Sequence, residues 1–168
     1  MKIWLFCILR NEIKILPYFL RHYLPFVDKF IFFDDQSDDG TRELISATER
    51  CDLRNWPGTS AIVDHEFMDF ANQAWREADG IADWIIWVDA DEFLYHPNMV
   101  ERLATYVQEG VNCPQIEGFT MISTRFPTTT GLITDEIKTG VSDPIWAKNA
   151  IFRGNMYWNI GRHSIDTG

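Results

Sequence analysis

Cysteine is scarce in this chain, and the three that occur are far apart. Cys7, Cys51 and Cys113 are an odd number, and no two of them form a Cys-x-x-Cys pair. A disulfide scaffold needs paired cysteines and a structural zinc site needs closely spaced ones, so both are excluded as the basis of the fold. The scarcity instead favours a protein of a reducing compartment.

Cations are also in short supply. Lys and Arg number 15 against 25 Asp and Glu, which gives a formal net charge of -10. A nucleic-acid or anionic-membrane surface needs clustered cations, so both kinds of partner are excluded as main ligands. A phosphorylated ligand is still compatible, because a metal ion can lie between an acidic site and a phosphate.

The chain has no apolar run long enough to span a bilayer. Its first apolar run, residues 3–9, is stopped by the polar residues 10–12 and carries no small-residue cleavage site, so it is a strand and not a signal peptide. We therefore expect a cytoplasmic protein. Peripheral attachment at the inner face of the membrane is left open.

What the sequence does have is a regular alternation of short apolar runs and helical patterns. Hydrophobic residues make up 46% of 168 residues, enough for one domain with a real core. The patterns predict strands at residues 3–9, 29–33, 61–63 and 84–88, and helices at residues 12–24, 39–49, 67–78 and 98–109. This alternation predicts an α/β fold with a mostly parallel sheet and right-handed crossovers.

The pattern changes after residue 115. Residues 128–131 are typical of a flexible loop, and residues 147–152 and 156–160 predict two late strands, with a hairpin turn at Gly154 and Asn155. We expect this part to lie over the carboxyl ends of the parallel strands, where ligands bind in open α/β sheets.

Two acids follow the most apolar strand directly. Asp89 and Asp91 are separated by one alanine, and Glu92 comes next. Mg²⁺ takes one or two protein carboxylates together with phosphates and water, so the pair suits a metal-diphosphate complex. The alternative is that these acids cap the next turn or lie in solvent. Glu92 is either an orienting group or an exposed acid.

A second acidic turn follows the second strand, at residues 34–41. Asp35 is placed to accept hydrogen bonds from a base or ribose hydroxyl, whereas Asp38 and Asp39 are placed to cap the next helix. The spacing also imitates the start of a calcium loop. That interpretation fails because the twelfth position, which needs a bidentate Glu, is Ser46.

Taken in order, three motifs resemble glycosyltransferase family 2, whose members have the GT-A fold. Residues 10–12, Arg-Asn-Glu, are similar to the family's opening turn. Residues 34–41, Asp-Asp-Gln-Ser-Asp-Asp-Gly-Thr, are similar to its Asp-Asp-x-Ser-x-Asp-Gly-Thr signature, and residues 89–91 look like its Asp-x-Asp metal motif. The resemblance spans about residues 1–95.

The resemblance implies a Rossmann-like three-layer α/β/α sandwich over residues 1–168, with a donor half at about 1–95 and an acceptor half at about 115–168. It implies a nucleoside-diphosphate sugar donor, a glycan or glycolipid acceptor, and Mn²⁺ or Mg²⁺ as cofactor. Asp91 would bind the metal directly, and Asp89 would lie near ribose and metal. The nucleotide pocket would include Leu9, Arg10, Asn11 and Asp35.

The tail is similar to bacterial members that add sugars to lipopolysaccharide cores. A late histidine can complete the metal site in those proteins, so His163 is the candidate third ligand, since neutral imidazole binds Mn²⁺. Those relatives often have Glu after this histidine, where this chain has Ser164. Lys148 and Arg153 are candidates to pair with donor phosphate, with solvated surface cations as the alternative.

The reaction that follows is direct displacement by an acceptor hydroxyl, with inversion implied by the resemblance. Asp135 is our candidate general base, ahead of Glu136 and Asp143. Many relatives exceed 168 residues, which leaves open that this sequence is a fragment lacking part of the acceptor site.

Two other functions are open. The first is a haloacid-dehalogenase-type phosphatase, which also uses Asp-x-Asp but requires Thr or Val at the position of Phe93. The second is a non-catalytic nucleotide-sugar binding module.

Overall fold

The structure is a computed structural model that describes residues 1–58, 64–159 and 165–166. Its strands are β1 (Ile3–Leu9), β2 (Lys29–Asp34), β3 (Cys51–Asn55), β4 (Trp84–Trp87), β5 (Phe119–Met121), β6 (Gly140–Ser142), β7 (Ile151–Phe152), β8 (Tyr157–Trp158) and β9 (Ile165–Asp166). Its α-helices are α1 (Leu16–Tyr23), α2 (Thr41–Ser46), α3 (Asp64–Ala74), α4 (Met99–Glu109) and α5 (Ile133–Glu136), and short 3₁₀ helices cover Trp75–Ala78 and Pro144–Trp146. None of the helices in these residues is long and apolar enough to cross a membrane.

The central sheet has five strands in the order β3-β2-β1-β4-β7. The first four are parallel to one another, and β7 runs antiparallel beside β4. β1 lies in the middle, with Leu9 level with Asp34 of β2 and Phe6 level with Trp87 of β4. The predicted α/β fold with a mostly parallel sheet is confirmed.

Helices cover both faces of this sheet. On one face Leu5 and Cys7 of β1 share a buried cluster with side chains of α1, α2 and α4. On the other face Phe6 shares a second cluster with α3 and the late aromatic residues Phe152 and Trp158. Successive side chains of a strand point to opposite faces, so β1 contributes to both clusters. This is a three-layer α/β/α arrangement.

The third strand of the structure is β3, which the sequence analysis missed. Its side chains are half-buried or exposed, and it carries Asp52 and Arg54 at the edge of the sheet. Edge strands are commonly polar and charged, so β3 lacks the apolar run that marks a central strand. The strand predicted at residues 61–63 lies outside the described residues.

The predicted hairpin of the two late strands is wrong. A turn does occur at Gly154, whose φ is +76°, but the strands on either side of it have different partners. β7 pairs with β4 and β8 pairs with β9. Phe152 and Trp158 instead meet through their side chains, with ring centroids 4.9 Å apart. Burial of two large rings therefore sets the path of the chain here.

The backbone of β8 is fixed to α3 by one buried amide. Asn72 is 3% exposed, and its side chain donates to the carbonyl of Trp158 at 3.0 Å and accepts from the N–H of Trp158 at 2.8 Å. A side chain thus supplies both backbone hydrogen bonds that a neighbouring strand would otherwise make.

We predict that Asn72→Leu lowers the free energy of unfolding by about 2 to 3 kcal/mol, because it leaves a buried N–H and a buried C=O of Trp158 without partners. Urea denaturation followed by tryptophan fluorescence measures the change. Gln73→Ala is the matched control, since Gln73 is the next residue of α3 and is exposed. Equal effects of the two substitutions would contradict the role assigned to Asn72.

Candidate functional site

Three turns meet at the carboxyl edge of the sheet, after β1, β2 and β4. β1 lies between the other two strands, and neighbouring strands are about 4.8 Å apart, so the ends of β2 and β4 are separated by about 10 Å. The β1–β4 pairing runs to Phe6 and Trp87, and the N–H of Val88 still donates to the carbonyl of Phe6 at 3.3 Å, so the turn after β4 leaves beside β1. Asp35, Arg10 and Asp91 therefore start from neighbouring positions along one edge.

The turns after β1 and β2 are joined through Asn11. Its N–H donates to Ser37 Oγ at 2.8 Å, and its Oδ1 accepts from the N–H of Asp38 at 2.9 Å. Asn11 has a φ of +57°, in the left-handed region that asparagine tolerates better than most residues. Asn11, which was predicted to line a nucleotide pocket, thus connects the turns after β1 and β2 through its backbone and its side chain.

Asp39 and Thr41 form a second connection between the turns after β1 and β2. The Asp39 carboxylate accepts from the N–H of Ile13 at 3.1 Å and from the N–H of Thr41, the first residue of α2, at 3.0 Å. The hydroxyl of Thr41, which is fully buried, donates to Asp39 and accepts from the N–H of Glu12 at 2.9 Å. The N-cap of α2 is Gly40, and Asp39, the residue before it, accepts from the first N–H of the helix and also fixes the turn after β1. Of the two acids predicted to cap α2, Asp39 is thus the one that bonds to its first residue.

The two adjacent acids that end β2 have different environments. Asp34 is buried, and its Oδ2 accepts from Arg42 Nη1 at 2.5 Å and from the N–H of Ser37 at 3.1 Å. Asp35 donates its N–H to the carbonyl of Leu9 at 2.9 Å, and its carboxylate lies 3.5 Å from the exposed Arg10 guanidinium. Asp34 thus stabilises the turn, and Asp35 is the acid that a ligand can reach.

The acidic turn after β4 contains an ion-paired lysine from the tail. Lys148 Nζ donates to Asp89 Oδ2 at 3.0 Å and to Glu92 Oε1 at 2.5 Å. The other oxygen of Glu92 accepts from the N–H of Asp89 at 3.0 Å. Glu92 therefore orients the turn, the first of its two predicted roles. The structure brings Lys148 to this turn across 59 residues of sequence.

The backbone beyond this turn is held by α1. The buried Tyr23 hydroxyl donates to the carbonyl of Glu92 at 3.0 Å and accepts from the N–H of Leu94 at 2.8 Å. Burial raises the pKa of Tyr23, so the phenol stays neutral and keeps both bonds. Tyr23 could not be recognised from the sequence, because its position in a helical pattern indicates only a core residue.

Acidic side chains of different turns lie close enough at this edge for their charges to interact. Burial raises the pKa of Glu12, and the charges of Asp91 and Asp39 raise it further. Asp91 itself is exposed at the end of its turn. Its influence on Glu12 shows that its charge is felt at the turn after β1, so a cation bound at Asp91 would be attracted by both turns.

We tested whether these residues fit the implied metal ion. In the parts of the chain that the structure describes, no three His, Cys, Asp or Glu side chains converge into a metal cage. Asp89 and Asp91 nevertheless offer two carboxylates at one strand end, which is the number that Mg²⁺ uses when diphosphate and water fill its other positions. The residues fit a metal that arrives with a diphosphate. His163, the candidate third ligand, lies outside the described residues.

The two remaining predicted site residues, Asp135 and Arg153, lie outside the three turns, although the groove that Asp135 lines reaches Leu94, two residues beyond Glu92. Asp135 lines a groove of about 390 Å³ between the end of α1 and the loop before α4, together with His22, Phe26 and Leu94. The β4–β7 register places Arg153 beside Trp84, at the amino end of β4, whereas Asp89 follows the carboxyl end of that strand. The Arg153 guanidinium lies 5.9 Å from the centre of the Trp84 ring.

The other two candidates for the base have structural roles. Glu136 accepts from the N–H groups of Thr128 and Thr129 at 3.0 and 2.8 Å. Asp143 accepts from the N–H of Ile145 at 3.0 Å and caps a 3₁₀ helix. These bonds order the loops around them, which leaves Asp135 as our candidate.

Comparison with known proteins adds a family match. The family model described as Glycosyl transferase family 2 matches residues 7–163, a range that includes all three turns. Of 33 matching chains of known structure, one is CMP:2-keto-3-deoxy-manno-octonic acid synthetase complexed with CTP, at 15% sequence identity and a TM-score of 0.41. That match covers 73% of this chain and 54% of the other. The sequence has no significant match among curated proteins.

We predict that Glu12→Gln raises the unfolding temperature at pH 7 and leaves it unchanged at pH 3. The raised pKa of Glu12 means that its ionisation disfavours the folded state, and this penalty is absent below its ordinary value of 4.5. Thermal unfolding followed by circular dichroism measures the difference. The exposed Glu117→Gln is the control, and a gain at pH 3 as large as at pH 7 would contradict the charge explanation.

Proposed function

The chain belongs to glycosyl transferase family 2, and from this premise we propose that it moves a sugar from a nucleoside-diphosphate sugar to an acceptor hydroxyl. The observation that carries the proposal is the position of Asp35 and the Asp89–Asp91 pair after β2 and β4, on either side of β1. Two strand spacings separate these strand ends by about 10 Å. This spacing suits a ligand with a base at one end and a diphosphate at the other.

In this proposal the donor lies along the edge from β2 to β4. Asp35 accepts a hydrogen bond from the base, and the turn formed by Leu9, Arg10 and Asn11 lines the nucleotide. Asp89 lies near the ribose, and Lys148 supplies a cation for the diphosphate. The joins between the first two turns support this assignment, because they hold the base-binding wall in place before the donor arrives.

Asp89 and Asp91 would hold Mn²⁺ or Mg²⁺, with His163 as the proposed third ligand. The metal, when bound, would neutralise charge on the departing nucleoside diphosphate. The exposure of Asp91 and its repulsive interaction with Glu12 support a cation at this position. Arg153 is left out of the donor site, because it lies at the amino end of β4.

The proposed reaction is a single displacement with inversion. The acceptor oxygen forms a bond to the anomeric carbon, and the bond from that carbon to the diphosphate oxygen breaks with its electron pair. Asp135 takes the proton of the acceptor hydroxyl. The acceptor is a glycan or the sugar of a glycolipid. Family membership supports this transfer over phosphatase chemistry, which would make Asp89 a nucleophile.

We predict that Asp91→Asn abolishes Mn²⁺-dependent binding of the donor, because the substitution removes one of two carboxylates. Isothermal titration with uridine and guanosine diphosphate sugars, with and without Mn²⁺, measures the loss. Asp79→Asn is the matched control, as it makes the same change of charge at an exposed acid before β4. Hydrolysis of p-nitrophenyl phosphate by the wild type in the presence of Mg²⁺ would instead indicate a phosphatase.

We predict that Asp135→Asn lowers kcat by at least about 100-fold and leaves donor affinity unchanged, as expected for a general base. The rate of donor turnover with a panel of sugar acceptors measures kcat. Asp143→Asn is the comparison, since Asp143 was a rival candidate for the same role. A larger loss in Asp143→Asn than in Asp135→Asn would move the role to Asp143.

A further inference from the structure

Lys148 is the most enclosed cation at the carboxyl edge for which the structure gives partners. Its side chain is 10% exposed, whereas those of Asp89 and Glu92 are 39% and 25% exposed. Its ammonium lies within 3.0 Å of both carboxylates and 5.2 Å from the centre of the Trp146 ring. The ammonium is therefore more enclosed than either of the two carboxylates that it contacts.

This position places the ammonium in competition with a metal ion. A divalent cation binds a carboxylate oxygen at about 2.0 to 2.6 Å, and Lys148 already lies 3.0 Å from Asp89 Oδ2. Two cations sharing one carboxylate would be only a few ångströms apart, where their repulsion is strong in a partly buried site. Metal binding at Asp89 and the present position of Lys148 therefore oppose each other.

We propose that Lys148 is an internal counter-ion that a divalent metal displaces from Asp89, and that the released ammonium then pairs with the donor's diphosphate. This inference rests on the proposed function, because it uses the same donor site. The four-carbon stem of lysine allows such a move about a fixed backbone. The backbone here is held, since the N–H of Lys148 donates to the carbonyl of Trp146 at 3.0 Å.

The exchange couples the metal to the donor. Metal alone must displace an ammonium that gains no new partner, so it binds weakly. With a diphosphate present the displaced ammonium has an anion to pair with, so metal and donor favour each other's binding. Lys148 would thereby limit metal uptake before the donor arrives.

The test is a titration with Mn²⁺ alone, in which the electron paramagnetic resonance signal of free Mn²⁺ reports binding. We expect Lys148→Met to bind Mn²⁺ about tenfold more tightly than the wild type, as expected when one charged hydrogen bond no longer has to be broken. Lys148→Arg keeps the charge and should bind like the wild type.

Lys29→Met is the matched control. Lys29 has a similar setting, 3.7 Å from Asp52 and 4.5 Å from the centre of the Trp4 ring, but lies at the start of β2, away from the carboxyl edge. Its substitution should leave Mn²⁺ affinity unchanged.

A second titration separates this role from a merely structural one. With saturating Mn²⁺, Lys148→Met should bind uridine or guanosine diphosphate about tenfold more weakly, because the ammonium is no longer there to pair with phosphate. Opposite changes for metal and nucleotide support the exchange. A damaged fold would weaken the binding of Mn²⁺ and of the nucleotide alike, and circular dichroism would detect the damage. If Lys148→Met does not fold, Lys148→Gln takes its place.

Mn²⁺ affinity in Lys148→Met that is equal to or lower than in the wild type would overturn the inference. So would an absence of Mn²⁺ binding by this variant at millimolar concentration. The titration contains no donor, so either result leaves the proposed transfer to be judged on its own. Failure of the proposed function would appear separately, as a wild type that binds no diphosphate sugar with any metal.

Discussion

Parallel pairing of β1 between β2 and β4 is the interaction on which the site depends. It aligns three strand ends at one edge and separates the ends of β2 and β4, which carry the acids proposed to bind the base and the metal, by two strand spacings. β1 can occupy this position because five of its seven residues are buried and it packs against helices on both faces. The first polar residues after its apolar run are therefore placed directly at the edge.

The second constraint is the concentration of negative charge at that edge. Each acid that stabilises the fold has a specific partner: Asp34 has Arg42, Asp39 has three donors, and Glu92 has the N–H of Asp89. Of the three acids proposed to bind ligands, Asp35 and Asp91 reach an exposed cation or solvent, and Asp89 pairs with Lys148 while its side chain stays 39% exposed. The division between structural and ligand-binding acids thus follows burial and hydrogen bonding, not residue type.

Local patterns in the sequence predict the features that depend on local physics. β1 is predicted with its observed bounds, because a continuous apolar run marks a strand covered on both faces. β3 is missed because an edge strand needs no such run. The pairing of Lys148 with Asp89 and Glu92 depends on how the tail folds back over β4, and neither spacing nor composition reports that path. Asn72 is missed for the same reason, since its partner is 86 residues away.

Trp158 connects the position of Lys148 to the packing on the other face of the sheet. Its indole N–H donates to the carbonyl of Asn149 at 2.9 Å, and Asn149 is the neighbour of Lys148. The position of Lys148 thus depends on aromatic packing on the α3 face of the sheet, where Trp158 contacts Phe152 and Trp87. Grafting the acidic turn and Lys148 alone onto another scaffold would lose that placement. A functional graft would also need the aromatic cluster of Trp158, Phe152 and Trp87. We therefore expect this cluster and the acidic turn to vary together among related sequences.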